Sequence, residues 1–274
     1  MKTYPCAKIN LGLYVTERRP DGYHNLQTVF YPVPLCDELE IEVSDADGIE
    51  VLGMEVAGDA NDNLVMRVVR QLRSDGFDVP PLKITLTKNI PTGAGLGGGS
   101  SDAAFAMKMI NQMFGLGLGN EEMERRVARL GADCAFFIRC KPVYATGIGD
   151  VFARIDVDLN GLWIVIVKPD DFISTREAYQ GVSPRMPETD LMVLLHQPIS
   201  TWPAFVGNDF ELSILHSHKR IGDIKNRLYD NGALYASMSG SGSAVFGIFS
   251  EQPLPEVVRS FQPDFTFVAQ LGKY

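Results

Sequence analysis

The segment best equipped for chemistry is PTGAGLGGGSSDAA, which begins at Pro91. Pro91, Thr92, Gly93, Ala94, Gly95, Leu96, Gly97, Gly98 and Gly99 lead into Ser100 and Ser101. The alternating run Leu82, Ile84, Leu86 precedes them, and apolar residues at helical spacing follow, from Ala103 through Met107 and Ile110 to Phe114. A strand, a glycine loop and a helix together make an anion site. Glycines let backbone N–H groups approach phosphate oxygens with no Cβ in the way, and the helix N-terminus adds unpaired donors and about half a positive charge. Lys88, just upstream, adds a full charge. A turn with no ligand would have no use for so many glycines, because each loses chain entropy on folding.

The loop also contains GxGxxG at Gly93, Gly95 and Gly98, the dinucleotide fingerprint, but the context is wrong. Its helix runs into a second helical pattern, Asn120 to Leu130, and no strand-end acid follows about 20 residues on. The Gly-Lys-Ser/Thr string of a P-loop is missing from the loop, as are the HRD and DFG strings of protein kinases.

Other residues have chemistry that the pattern leaves open. From Ala7 to Val15 the odd positions are apolar, so Lys8 and Asn10 point the same way from a strand with one buried face. Lys8 reads either as a solvated lysine or as a working cation. Asp133, just after Gly131, reads as a helix cap or as a base. AspGlyTyrHis at Asp21 to His24 is a turn followed by an exposed aromatic and a histidine. His196, His216 and His218 read as surface or helix residues. Cys6, Cys36, Cys134 and Cys140 show no CxxC pair and no histidine at zinc spacing, so reduced thiols are expected rather than a disulfide framework or a structural metal.

The glycine loop resembles the phosphate-binding motif of the GHMP kinases. AKINLGLYVTERRPDGYHNLQTVF from Ala7, LGADCAFF from Leu130 and SGSGSAVFGIF from Ser239 extend the resemblance over nearly the whole chain. It implies an α+β, two-lobed fold, with a ribosomal-S5-like N-terminal lobe and a ferredoxin-like C-terminal lobe. The implied activity is an ATP-dependent small-molecule kinase of isoprenoid precursor synthesis, acting on the 2-hydroxyl of an acceptor that carries a cytidine diphosphate group.

By this resemblance Asp133 is the catalytic base and Lys8 the cation that keeps it ionised and oriented. Residues 91–101 hold the ATP phosphates, with Asn63, Lys88 and Asn111 at the adenine and phosphate contacts. Tyr23 stacks on the cytosine, His24 bonds its edge, and Tyr179 is an opposing aromatic. Asn10, Thr175, Gly240 and Gly242 complete the substrate side. Mg²⁺ is expected to ride on ATP, touched by Ser100 or Ser101, with no metal cage made of protein ligands alone. Cys134 and Ala135 depart from the family pattern, an aliphatic residue then Pro. Losing that Pro frees a backbone N–H and loosens φ beside Asp133. Another GHMP enzyme, for mevalonate, homoserine or a sugar, is the runner-up, and DGYH speaks against it. A catalytically silent nucleotide sensor is the third reading, and retention of Lys8 and Asp133 speaks against that.

The elements that must position these residues fit a chain of 274 residues, long for one core and comfortable for two α/β lobes. We place the lobes at 1–160 and 161–274. Further strands are expected at Leu39 to Val43, Val143 to Thr146, Phe152 to Ile155, Trp163 to Val167, Ala244 to Phe249 and Phe265 to Ala269. Helices are expected after an N-cap at Asp62, at Asp190 to Leu195, from Phe210 to Leu228, and from Pro255 to Phe261. A net charge of -9 argues against nucleic acid as a partner. The longest apolar run, Leu162 to Val167, is too short for a membrane span. A cytoplasmic enzyme, monomeric or weakly dimeric, is the expectation.

Overall fold

The computed structural model describes residues 1–55 and 62–272. In chain order the strands are β1 (Lys2–Thr3), β2 (Cys6–Arg18), β3 (His24–Cys36), β4 (Glu38–Val43), β5 (Gly48–Gly53), β6 (Leu82–Lys88), β7 (Val143–Thr146), β8 (Val151–Arg154), β9 (Trp163–Lys168), β10 (Tyr235–Met238), β11 (Val245–Phe249) and β12 (Phe265–Gln270). The helices are α1 (Leu64–Ser74), α2 (Gly98–Phe114), α3 (Asn120–Val127), α4 (Phe136–Arg139), α5 (Thr175–Gln180), α6 (Leu191–Leu195), α7 (Trp202–Phe205), α8 (Glu211–Ser217), α9 (Lys219–Asp230) and α10 (Pro255–Arg259). They form two compact units that interleave along the sequence. One holds Met1–Ala7, Leu35–Thr92 and Gly97–Lys141; the other holds Lys8–Pro34, Gly93–Leu96 and Pro142–Tyr274.

The first unit is built on a sheet of order β1-β4-β6-β5. β4 and β6 run antiparallel with Ile41 opposite Ile84, and β5 lies parallel to β6. The alternation read from the sequence is the buried face of this sheet: Leu39, Ile41, Leu82, Ile84 and Leu86 are fully buried. α1 buries Val65, Val68, Val69 and Leu72 and packs on α2. Its N-cap is Asn63, not Asp62: the Asn63 carboxamide oxygen accepts from the Val65 amide at 2.9 Å. A cap must directly precede the first helical residue to reach the second amide, and only Asn63 does. α3 ends at Val127, short of the expected Leu130, and its acidic first turn and basic last turn suit the helix dipole.

The second unit contains two sheets, β2-β3-β7-β8 and the antiparallel β10-β11-β9-β12. Val165, Val167 and Val245 from the latter pack with Ile214, Ile221, Ile224 and Leu228 of α8 and α9, and with Leu13 and Val15 of β2. The continuous helix expected from Phe210 to Leu228 is broken at His218, where the backbone turns to φ -116 and ψ 73. Both His218 ring nitrogens are engaged, with Asp171 at 3.2 Å and Glu177 at 2.9 Å, so its side chain is anchored rather than lying on a free surface. β2 differs from expectation as well. Ala7, Ile9, Leu11, Leu13 and Val15 are buried as the alternation predicts, but Lys8 and Asn10 on the other face are only 3% and 2% exposed.

Candidate active site

The burial of Lys8 follows from its partners. Its ammonium donates to Asn10 Oδ1 at 2.7 Å and to the Gly95 carbonyl at 2.9 Å, and it stands 5.0 Å from the centre of the Phe30 ring. A solvated strand lysine is therefore excluded. Asn10 is fixed in turn, because its amide donates to Thr28 Oγ1 at 2.8 Å while the Thr28 hydroxyl donates to the Gly12 carbonyl at 2.6 Å. This chain of bonds sets the rotamer of Asn10 and leaves its oxygen facing the ammonium. Thr28 carries no sequence signal for this role.

The carbonyls of residues 94–96, which belong to the second unit, are all taken within it. Ala94 O accepts from Ala244 N, Gly95 O from Lys8 and Ser239 Oγ, and Leu96 O from Lys8 N. Gly95 has to be glycine: its φ is +76, and a Cβ would lie 1.9 Å from the Ser239 carbonyl oxygen. Gly240, at φ +55, packs on the same place, and its Cβ would meet Asn10 Oδ1 at 3.3 Å and Gly95 at 3.4 Å. A Cβ on Gly242 would meet Met238 Sδ at 2.6 Å. Asn208, 5% exposed, donates to the carbonyls of Met238 and Gly240 and so holds this second glycine turn. Phe172 is 70% exposed, with its ring 3.2 Å from where a Gly93 Cβ would be. Asn208 and Phe172 sit in segments with no motif, and sequence reading passed over both.

In the first unit, Gly97 caps α2 in the left-handed region, with no side-chain hydrogen bond at the helix start. The first-turn amides, which an α-helix leaves without internal acceptors, therefore have no competing side-chain cap. The Ser101 hydroxyl is fully buried and makes no hydrogen bond. Ser100 is half-exposed and hydrogen-bonds Cys134. Of the two serines, Ser100 is thus the one with a solvent-facing surface.

The Lys88 ammonium is not a loose charge beside the loop. It is 3% exposed and pairs with Asp37 and, at 2.6 Å, with Asp102. Asp37 Oδ1 also accepts from the amides of Asn89 and Ile90 at 2.6 and 2.8 Å, which fixes the chain as it enters the loop. Burial pushes the Asp102 carboxyl up to about 7; the Lys88 charge opposes this and the Asp37 charge reinforces it. The extra positive charge expected from Lys88 is therefore neutralised by carboxylates. Asp37 and Asp102, neither of which the sequence marked, decide its environment.

Asp133 lies half-buried in the turn that leads into α4. Cys134 N bonds Gly131 O at 3.1 Å and Phe137 N bonds Cys134 O at 3.2 Å, so the turn keeps its shape without a proline. α4 has no side-chain cap hydrogen bond. Burial raises the Cys134 thiol to about 11, making it inert. Asn63 and Asn111 both have local duties: the first caps α1, and the second bonds both backbone groups of Leu118 at 2.9 and 3.0 Å.

Tyr23 projects into solvent, 61% exposed, at the end of an Asx turn in which Asp21 accepts from its amide. His24 stacks on Tyr179 with ring centres 4.7 Å apart and planes 20° apart, and Tyr179 meets Phe210 edge-on at 4.9 Å. These two aromatic positions, far apart in sequence, are thus together in the second unit. Thr175 is exposed at the start of α5. Among the described residues no group of three or more His, Cys, Asp or Glu could hold a metal ion, and no helix is long and apolar enough to cross a membrane.

The GHMP kinase N-terminal domain matches residues 63–141 and the GHMP kinase C-terminal domain matches 194–265. The chain is 49% identical to the 4-diphosphocytidyl-2-C-methyl-D-erythritol kinase of Bacteroides fragilis, over 99% of this chain and 100% of that protein. It is 51% identical to the enzyme of that name from Bacteroides thetaiotaomicron, over 93% and 95%. A crystal structure of 4-(cytidine 5'-diphospho)-2C-methyl-D-erythritol kinase superposes with a TM-score of 0.83 at 28% identity, covering both chains completely. The mevalonate kinase of Methanococcus jannaschii, at 13% identity and a TM-score of 0.68, shares the fold.

Proposed function

The chain belongs to the GHMP kinases, within the 4-diphosphocytidyl-2-C-methyl-D-erythritol kinase family, and from that premise we propose that it transfers the γ-phosphoryl group of ATP to the 2-hydroxyl of 4-diphosphocytidyl-2-C-methyl-D-erythritol, in non-mevalonate isoprenoid precursor synthesis. The observation that carries this reading is near 50% identity, over 93–99% of the chain, to relatives of that name. The retained glycine loop, Lys8, Asp133 and DGYH segment support it.

Phosphoryl transfer asks little covalent chemistry of a protein and much positioning. In this reading the amides of 93–101 hold the triphosphate, since hydrogen bonds to fixed dipoles need no reorganisation during reaction. Asp133 accepts the proton of the acceptor hydroxyl, with Lys8 as the cation that the family pattern assigns to it. Asn10 and the Gly95 carbonyl fix the direction of the Lys8 ammonium. Tyr23 provides an exposed face for the cytosine and His24 a polar edge, with Tyr179 behind His24. Gly240 and Gly242 leave room beside the loop, while Thr175 belongs to the substrate segment.

Mg²⁺ carried by ATP would neutralise phosphate charge, and Ser100 is the hydroxyl suited to it, because Ser101 is sealed. Asn63 and Asn111 are read as adenine contacts in addition to their local bonds, and Lys88 as acting on the loop through Asp37. We assign the enzyme to the cytoplasm, working as a monomer or a weak homodimer, with lobes 1–160 and 161–274. The test is a panel of acceptors with Mg-ATP and mass detection of products. 4-Diphosphocytidyl-2-C-methyl-D-erythritol should gain one phosphate while mevalonate and homoserine stay unmodified; preferential turnover of either of those overturns the assignment, and binding of ATP without transfer to any acceptor points to a sensor.

A further inference from the structure

Two thiols that the kinase chemistry does not use meet in the first unit. Cys6, the first residue of β2, and Cys140, just after α4, have their sulfurs 2.7 Å apart although 134 residues separate them in sequence. Both are free and half-buried. Cys140 is the one non-glycine among the described residues with a positive φ, +50. An ordinary side chain is disfavoured there, and glycine or asparagine would close α4 more easily. A cysteine held in that conformation directs its sulfur at Cys6. Cys36, at the end of β3, is near enough to act electrostatically on Cys6.

The two sulfurs are not equivalent. The hydrogen bond with Cys6 holds the Cys140 thiol below its ordinary pKa, and the Lys108 ammonium on α2 adds to this against the effect of burial. Cys6 is correspondingly pushed up, by the same hydrogen bond and then by burial. Cys140 is therefore the better nucleophile and Cys6 the proton holder.

We propose that Cys6 and Cys140 form an oxidant-sensitive dithiol, a modification site that a hydroperoxide converts to a disulfide and a thiol reductant restores. The Cys140 thiolate attacks one peroxide oxygen. The O–O bond breaks, hydroxide leaves and takes a proton to become water, and Cys140 becomes a sulfenic acid. The Cys6 sulfur then attacks the Cys140 sulfur, the S–O bond breaks, and the departing oxygen takes the Cys6 proton as a second water. Two thiols lose one electron each, and the peroxide gains two. In a reducing compartment the bond is transient, as expected of a sensor and not of a structural brace. It would join the strand start two residues before Lys8 to the helix after Asp133.

The full-length protein, treated with one equivalent of hydrogen peroxide, alkylated and mapped without reduction, should yield a peptide pair joining Cys6 to Cys140. Its intact mass should fall by two hydrogens, and dithiothreitol should reverse both changes. Cys140 should be oxidised at least about tenfold faster than the buried Cys134, which serves as an internal control. In Cys6→Ser a sulfenic acid should persist on Cys140 and be trapped by dimedone; in Cys140→Ser no crosslink should form. A crosslink to Cys36 instead, or oxidation of all four thiols at one rate, would overturn the proposal. So would four thiols that remain alkylatable in the folded wild-type protein. Thiol state is read by mass, so failure of the kinase assignment would leave this test intact.

Discussion

Replacing Asp37 by alanine should destabilise the protein and weaken its grip on ATP together. Asp37 is fully buried, and three donors converge on it: the Lys88 ammonium and the amides of Asn89 and Ile90. An orphaned buried amide costs about 1–3 kcal/mol, and breaking a buried ion pair by removing one partner costs about 3–5 kcal/mol. Two offsets apply. Lys88 keeps Asp102 at 2.6 Å, and removing the Asp37 charge relieves its repulsion of Asp102. The net loss should then be about 3–4 kcal/mol, mostly from the two amides. Asp37→Asn retains an oxygen for those amides and should lose roughly half as much. Urea unfolding at pH 7.5 measures both variants, and KM for ATP should rise because residues 89 and 90 lead directly into the glycine loop. A loss under about 1 kcal/mol in Asp37→Ala, with KM for ATP unchanged, would refute the claim that this carboxylate anchors the loop.

Asp133→Asn should cut turnover by orders of magnitude with ATP binding intact, checked by single-turnover kinetics beside nucleotide titration. Tyr23→Ala should raise KM for the cytidyl substrate well above any change in KM for ATP; equal changes in both would point to misfolding instead. Asp102 gives a pH signature. Its folded pKa, about 7, lies above the ordinary 3.8, so between these values the folded chain binds a proton that the unfolded chain has released. Relative to Asp102→Asn, which stays neutral, the wild-type protein should lose stability as pH rises from about 4 to about 7 and then level off. Parallel denaturation curves over that range would show no difference in slope if Asp102 titrated normally.

The parts of the fold legible in the sequence were those whose burial follows a simple period. Leu39 and Ile41 opposite Leu82, Ile84 and Leu86 form one sheet face, and the glycine loop stands between β6 and α2 as its composition implied. β3 was not legible as a strand: buried on both faces, its run through Tyr31, Pro32 and Val33 has no alternation to detect. β5 pairs parallel to β6 across a helix, and that partnership is non-local. Period-2 reasoning placed Lys8 and Asn10 on one side of β2 correctly. It missed that this side is also covered, because the cover comes from Gly95 and Thr28 elsewhere in the chain. Asp37 and Asp102 were invisible for a similar reason, since a carboxylate's partner across 51 residues leaves no local trace. The compact units exchange segments as early as Lys8 and Leu35, an interleaving that leaves no local trace in the sequence.

In the proposed reaction, backbone amides of residues 93–101 hold the triphosphate of ATP while a cytidyl acceptor is bound. The decisive experiment is a crystal structure with a non-hydrolysable ATP analogue and 4-diphosphocytidyl-2-C-methyl-D-erythritol. Phosphate oxygens should lie on those amides, cytosine on the Tyr23 ring, and the acceptor hydroxyl within hydrogen-bonding reach of Asp133. A triphosphate bound anywhere else, with the loop empty, would contradict the proposed reaction.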